Sequence, residues 1–81
     1  MAKNKDLELM IEALTLTIVV HEREEAFFRR SAVSSSSQPV KSLFLEIADE
    51  MGGHISSLVA KRRNLTNDLL KSQKKSAEKT Y

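Results

Sequence analysis

The sequence predicts an all-α fold in which two long antiparallel helices form a hairpin and two hairpins dimerise into a four-helix bundle. Three observations indicate it. Apolar residues recur at spacings of three and four along two segments, a serine-rich turn with the only proline separates them, and the 81-residue chain has no cysteine. A domain this small buries a modest share of its surface, and without cysteine neither a disulfide nor a thiolate-bound metal can stabilise it. We therefore expect self-association to stabilise it.

The first helix is predicted over about residues 4–33. Asn4 or Asp6 can cap its start, where the helix dipole also favours acidic side chains. Its apolar positions follow one helical face. They are Leu7, Ile11, Leu14, Ile18, Phe28 and Ala32.

The turn is predicted over residues 34–38, because serine side chains hydrogen-bond to the nearby backbone and so compete with helical hydrogen bonds. Pro39 in turn suits the start of a helix. A second helix then covers about residues 39–72, and the basic tail 73–81 is expected to fray. The two helices and the turn form a single domain, the hairpin of residues 1–73, and the tail follows it. The face of the second helix consists of Val40, Phe44, Ile47, Leu58, Arg62, Leu65 and Leu69.

Further apolar residues widen the stripe on each helix beyond what one partner helix can cover. They are Met10, Val19, Val20, Phe27, Leu43, Ile55 and Val59. A second hairpin is expected to cover them, which predicts a homo-oligomer of at least two copies. A protein shell or a partner protein is a further candidate for such contacts.

The charge distribution favours a protein without nucleic-acid or membrane partners. The net charge is +2, and the basic excess lies in residues 41–81, where cations suit the end of a helix and a solvated tail. No aromatic residues are interleaved with these cations, and no stretch approaches the roughly 18 apolar residues of a membrane span. We expect a soluble cytoplasmic protein, or one enclosed in a protein compartment.

Two polar interruptions in the apolar faces are the candidate functional residues. His21 and Glu25 follow Ile18 in the first helix, and Glu50, Met51 and His54 follow Ile47 in the second. In an antiparallel helix pair whose turn is near residue 37, two residues whose numbers sum to about 75 lie opposite each other, at the same level along the helix axes. His21 then faces His54, and Glu25 faces Glu50, each His–Glu pair being four residues apart on one helical face.

Buried ionisable groups need a partner or a metal, so three explanations are open. Imidazole and carboxylate groups on facing helices can bind iron, manganese or zinc. The same residues can instead form a salt-bridged layer that sets the helix register, or they can face solvent. Met51 is expected to pack rather than to bind. Gly52 and Gly53 indicate either a kink or a close approach of another group.

The sequence contains no pattern typical of the other common catalytic or phosphate-binding sites. The serines are in the turn or scattered, and they form no Ser-His-Asp arrangement. There is no glycine-rich phosphate loop, and no thiolate chemistry is available without cysteine.

Residues 13–58 contain a sequence that resembles the ferritin-like superfamily, in its rubrerythrin and encapsulated-ferritin branches. In that family a helix ends in Glu-Lys-x-x-x-x-Phe-Tyr, and after a short turn the second helix carries Leu-Phe-x-x-Leu-Ala-x-Glu-Glu-x-x-His. The positions that match are Phe27, Phe28, Pro39, Leu43, Phe44, Ile47, Ala48, Glu50 and His54. The resemblance implies that single hairpins associate so that two of them share a metal site.

The resemblance also implies where metal ligands would be. The first-helix glutamate of the family corresponds to His21, the glutamate three residues before the histidine corresponds to Met51, and the histidine itself is His54. Glu25 and Glu50 are candidate ligands or their hydrogen-bond partners, and Glu22 and Met51 are weaker candidates.

Two functions follow from this site. The first is a metal-binding ferritin-like protein with a divergent His/Glu site at the hairpin dimer, which handles iron or oxidises it as a ferroxidase does; zinc, manganese and copper are the other candidate metals. The second is an oligomeric scaffold or interaction protein that has lost the di-iron centre.

Overall fold

The computed structural model describes the backbone of residues 2–79 and the side chains of residues 4–74. Within this range the chain forms two helices, α1 (Ala2–Ser34) and α2 (Gln38–Lys79), and no strand. The predicted all-α hairpin of two long helices is therefore confirmed. The hairpin is a thin rod with extents of 67 × 14 × 13 Å.

A three-residue turn, Ser35 to Ser37, joins the helices. The Ser37 carbonyl accepts a hydrogen bond from the Lys41 amide at 2.9 Å, and the Ser37 amide donates to Ser35 Oγ at 3.2 Å. Serine side chains thus satisfy backbone groups that the end of one helix and the start of the next leave unpaired. Pro39 lies in the first turn of α2, where its missing amide costs no intrahelical bond.

The short turn makes the helices antiparallel neighbours, and cross-helix contacts show the register. Near the open end, Ser72 Oγ hydrogen-bonds to Asn4 Oδ1, and Arg62 Nη1 donates to Thr15 Oγ1 at 3.3 Å. Near the turn, the rings of Phe28 and Phe44 lie 5.7 Å apart. The numbers of facing residues sum to between 72 and 77, close to the predicted 75.

The inner face of α1 follows the predicted spacing. Ile18 and Ala32 are buried, and the other predicted positions Leu7, Ile11, Leu14 and Phe28 are half-buried. His21 and Glu25 continue the same line and are also half-buried. One face of α1 therefore packs on α2 along its whole described length.

The inner face of α2 differs from the prediction at two positions. Val40 and His54 are exposed, whereas Ala48 is buried and Ile55 is half-buried. The remaining predicted positions are half-buried: Phe44, Ile47, Leu58, Arg62, Leu65 and Leu69. Between Phe44 and Leu58 the inner line runs through Ala48, Met51 and Ile55, which leaves His54 on the flank of the helix.

The second helix also extends further than residue 72, to Lys79. Its last residues contain lysine, glutamine, alanine and glutamate, which favour helix, and neither glycine nor proline. Among the described residues, no helix is both long and apolar enough to cross a membrane.

Packing within one hairpin covers little of the apolar surface. Among residues 4–74, whose side chains are described, only Ile18, Ala32 and Ala48 are buried, and two of these are alanine. Apolar side chains on both helices are exposed instead. They are Leu9, Met10, Leu16, Val19, Val20, Phe27, Val33, Val40, Leu43, Leu45 and Leu70.

Candidate functional site

The two histidines lie side by side near the middle of the rod. The ring centroids of His21 and His54 are 6.3 Å apart in an edge-on arrangement, with 71° between the ring planes. They meet because the antiparallel register puts them at the same height. Two imidazoles on one zinc ion would each have a nitrogen about 2.0–2.1 Å from the metal, so small side-chain rotations could direct both rings at one ion.

His21 has an unsatisfied polar atom. Its Nδ1 is buried and has no hydrogen-bond partner within the described part of the chain. The nearest carboxylate is Glu24, whose Oε1 lies 3.8 Å from Nδ1, too far for a hydrogen bond. A buried ring nitrogen without a partner is costly, so a proton donor, a metal or a rotation of Glu24 would stabilise it.

Glu25 pairs with Arg29 and not with a histidine. Its Oε2 accepts a hydrogen bond from Arg29 at 2.9 Å, and Arg29 also reaches Asp49 Oδ1 of α2 at 3.3 Å. The bond from Glu25, and then the one from Asp49, raises the pKa of Arg29. This three-residue bridge lies along one side of the hairpin and joins its helices.

Gly52 makes room for the Glu25 carboxylate. A Cβ built at Gly52 would lie 3.2 Å from Glu25 Oε2, whereas one at Gly53 would meet nothing within 4 Å. Neither glycine has a positive φ, and α2 is continuous through both. Of the two alternatives in the sequence, close approach of another group therefore describes Gly52, and no helix break is present.

The other candidate ligands are spread around α1 and α2. Glu50 and Glu22 are exposed, and Met51 is half-buried on the inner face. Within the described part of one chain, no group of three or more histidine, aspartate or glutamate side chains could hold a metal ion. The hairpin thus brings His21 and His54 together, but it does not add Glu25 or Glu50 to them.

The histidine pair opens onto one side of the hairpin, which we call the histidine face and define by Val20, Phe27, Val40, Leu43 and His54. Each of these side chains is exposed. Helical spacing aligns the members within each helix, because Val20 and Phe27 are seven residues apart and His54 is fourteen after Val40. On α1, Val20 and Phe27 lie about 100–120° of helix rotation from His21, toward the outer side of the helix. Glu50 is seven residues after Leu43 and four before His54, so it belongs to the histidine face.

Sequence reasoning missed three residues that shape the site. Glu24 is the carboxylate nearest to His21, and Arg29 and Asp49 determine where Glu25 points. The spacings His21–Glu24 and Glu25–Arg29, three and four residues, are sequence signals for these contacts. The contact between Arg29 and Asp49 depends on the rotation of α2.

Comparison with known proteins identified no relative of this chain. No protein-family model, curated protein or solved structure matches the chain. The resemblance to ferritin-like proteins therefore rests on its motif residues alone.

Proposed function

We propose that this protein is a self-associating helical module in which the histidine faces of two hairpins pack together as a four-helix bundle. The observation that carries this proposal is the exposure of the apolar side chains on the histidine face, with Phe27 53 % exposed in the single hairpin. Contiguous exposed apolar surface is characteristic of an interaction site.

The surface area of the hairpin supports association. Its accessible surface is 6294 Å², whereas a compact monomer of 9.1 kDa exposes about 4,900 Å². The excess is on the order of 1,400 Å² per chain. A standard interface buries about 800 Å² on each partner, so one dimer contact fits within this excess.

Phe27→Glu is expected to separate the two hairpins. A buried aromatic anchor contributes about 2 kcal/mol or more, and a twofold interface loses it twice, so the dissociation constant should rise about a thousand-fold. The test is solution mass measured by sedimentation equilibrium over a range of protein concentrations, with helix content checked by circular dichroism. Glutamate at this position lies between Arg23 and Arg30 on α1, so the helix itself should persist.

Leu70→Glu is the matched control, because Leu70 is equally exposed but lies near the far end of α2. It should leave the association unchanged. A wild-type protein that is monomeric at all concentrations, or a Phe27→Glu protein with wild-type mass, would contradict the four-helix bundle.

Metal binding is a second candidate function, favoured by the approach of His21 to His54 and by the unpartnered Nδ1 of His21. Two protein ligands do not complete a structural zinc site, which takes four. Packing two histidine faces together would bring a second pair of imidazoles, with Glu24 and Glu50 of each copy on the same side. Such a nitrogen-rich set suits zinc, copper or iron, and open coordination positions would be needed for iron oxidation.

Metal addition tests this second function. We expect zinc, copper or ferrous iron, the last under anaerobic conditions, to raise the melting temperature, since a ligand at 100 times its dissociation constant adds about 2.7 kcal/mol of stability. A chelator should reverse the shift, and the His21→Ala, His54→Ala double variant should not show it. Glu46→Ala is the control, because Glu46 is exposed, lies eight residues before His54 on α2 and is not a candidate ligand. Equal metal responses in the double variant and the wild type would exclude this site.

A further inference from the structure

The histidine face continues past His54 toward the open end of the hairpin. The inner positions of α1 repeat every seven residues from Leu7 to Phe28, so residues seven or fourteen apart share one side of the rod. Lys61 lies seven residues after His54 and is exposed. It therefore extends the histidine face along α2.

On α1 the histidine face includes Glu24 and Met10. Glu24 lies beside His21, with 3.8 Å between Glu24 Oε1 and His21 Nδ1. Met10 is fourteen residues before Glu24 and is 51 % exposed, close to the exposure of Phe27. Helix α1 thus presents one large apolar side chain on this face toward each end of the rod.

The charges that α2 adds to this face are separated along the helix. Glu50 lies toward the turn and Lys61 toward the open end. Glu50 has no lysine or arginine three or four positions away on α2, and Lys61 has no acidic residue at these positions. Among the described residues, neither takes part in an ion pair within the hairpin. One acidic and one basic group, eleven residues apart, are therefore available to a partner.

Two hairpins can pack through this face with their turns at the same end or at opposite ends. With the turns at the same end, a twofold axis runs along the rod and each α1 faces the partner's α2 at the same level. Residues at the same level have numbers that sum to about 74, as the ring contacts between the helices show. Glu24 would then face the partner's Glu50, twice by symmetry, and like charges across an interface repel.

With the turns at opposite ends, each helix faces the same helix of the partner. If the twofold axis crosses α2 between Ile55 and Ser56, Glu50 faces the partner's Lys61. The symmetry produces two such ion pairs, because the contact is the same on both copies. Charge complementarity therefore favours hairpins that run in opposite directions.

The same axis also pairs the apolar side chains of α1. Residues 55–56 of α2 are level with residues 18–19 of α1, which are midway between Met10 and Phe27. Phe27 of each copy then packs on the partner's Met10, and a thioether against an aromatic ring is a favourable contact. One axis thus satisfies two independent features, the charges of α2 and the exposed apolar side chains of α1.

The other charged side chains on the face do not oppose this arrangement. Glu24 and Asp6 are level with uncharged residues of the partner's α1. Asp68 is three residues before Lys71, with which it can pair within α2. No like charges therefore meet across the contact.

We propose that the two hairpins of the bundle run in opposite directions, with Glu50 of each copy paired with the partner's Lys61 and Phe27 packed on the partner's Met10. This inference rests on the proposed function, because it specifies how the second copy lies on the histidine face. It also separates the histidines. The two copies of His21 lie five residues, or about 7–8 Å, apart along the rod, so each copy keeps its own histidine pair. A site that shares all four imidazoles would need the turns at the same end.

The distance between the two turns tests the orientation. The chain has no cysteine, so Ser36→Cys in the exposed part of the turn provides a single site for a spin label. Hairpins in opposite directions place the two labels about 50 Å apart, from the rise of 1.5 Å per residue. Turns at the same end place them about 20 Å apart, the width of two helix layers. Pulsed electron paramagnetic resonance on the dimer measures this distance, and about 20 Å would overturn the orientation.

A charge exchange tests the ion pairs. Glu50→Lys alone should weaken dimerisation about tenfold, because two ion pairs become two contacts of like charge, and adding Lys61→Glu should restore it. Glu8→Lys is the matched control, since Glu8 lies two residues, about 200° of helix rotation, from Met10. If the turns were at the same end, Glu50→Lys would instead strengthen dimerisation by removing the repulsion from Glu24.

The bundle and its orientation can fail separately. A wild-type mass of one chain at all concentrations would refute the bundle and this arrangement with it. A dimer whose turns are about 20 Å apart would refute the arrangement and leave the bundle. A distance of about 50 Å without any loss in Glu50→Lys would refute the pairing of Glu50 with Lys61.

Discussion

Ile18→Ala is expected to lower the free energy of unfolding by about 2–5 kcal/mol, which would leave the isolated hairpin largely unfolded. Ile18 is 3 % exposed and, in the part of the chain whose side chains are described, is the one buried side chain larger than alanine. Truncation removes apolar burial and leaves a cavity that two straight helices can close only in part. For a domain of this size the loss is a large share of the total stability.

The measurement is urea unfolding followed by circular dichroism at a fixed protein concentration, because self-association also contributes to the stability. Val33→Ala is the control, since Val33 is 80 % exposed and in the same helix. We expect its effect to stay within about 0.5 kcal/mol. Equal losses for the two variants would mean that Ile18 is not a central packing residue.

Ala48→Leu is expected to destabilise the hairpin by about 1–3 kcal/mol through overpacking. Ala48 has no exposed surface and lies on the inner line of α2, near the Phe28–Phe44 ring contact. Three additional carbon atoms there must displace the rings or push the helices apart. The rings should then lose contact with each other as well as with the helix backbone.

Ala60→Leu is the matched substitution at an exposed position of α2. It changes the same side chain without meeting α1, and its effect on stability should be small because leucine and alanine both favour helix. Thermal unfolding of both variants checks the prediction. If Ala48→Leu melted at or above the wild-type temperature, the helices would have to be further apart at this point than the structure has them.

The meeting of His21 and His54 follows from the sequence, because an antiparallel pair with a short turn puts residues of equal height together. The position of Glu25 does not follow in the same way. The spacing allowed it to face Glu50, but Arg29 lies one turn further along α1 and competes for its carboxylate. The outcome depends on Asp49 of α2, which accepts a hydrogen bond from the same Arg29 Nη2 that donates to Glu25.

The rotation of α2 could not be predicted from spacing alone. Spacings of three and four can continue through Val40 or Ala48, and through His54 or Ile55. The neighbouring lines are equally periodic, so the spacing does not select between them. The structure selects Ala48 and Ile55 because alanine allows close helix approach and isoleucine adds apolar burial. His54, which can be hydrated, takes the flank next to His21.

The sequence by itself determined the two helices, the turn between them and which residues of the two antiparallel helices lie at the same level along the hairpin. It did so because periodicity, the serine turn and chain length act locally. Tertiary structure decided the rotation of α2, the Arg29 bridge and the exposure of the histidine face. These depend on which of several similar apolar lines packs most closely and on which charges then meet, and such a competition is resolved only when both helices are in contact.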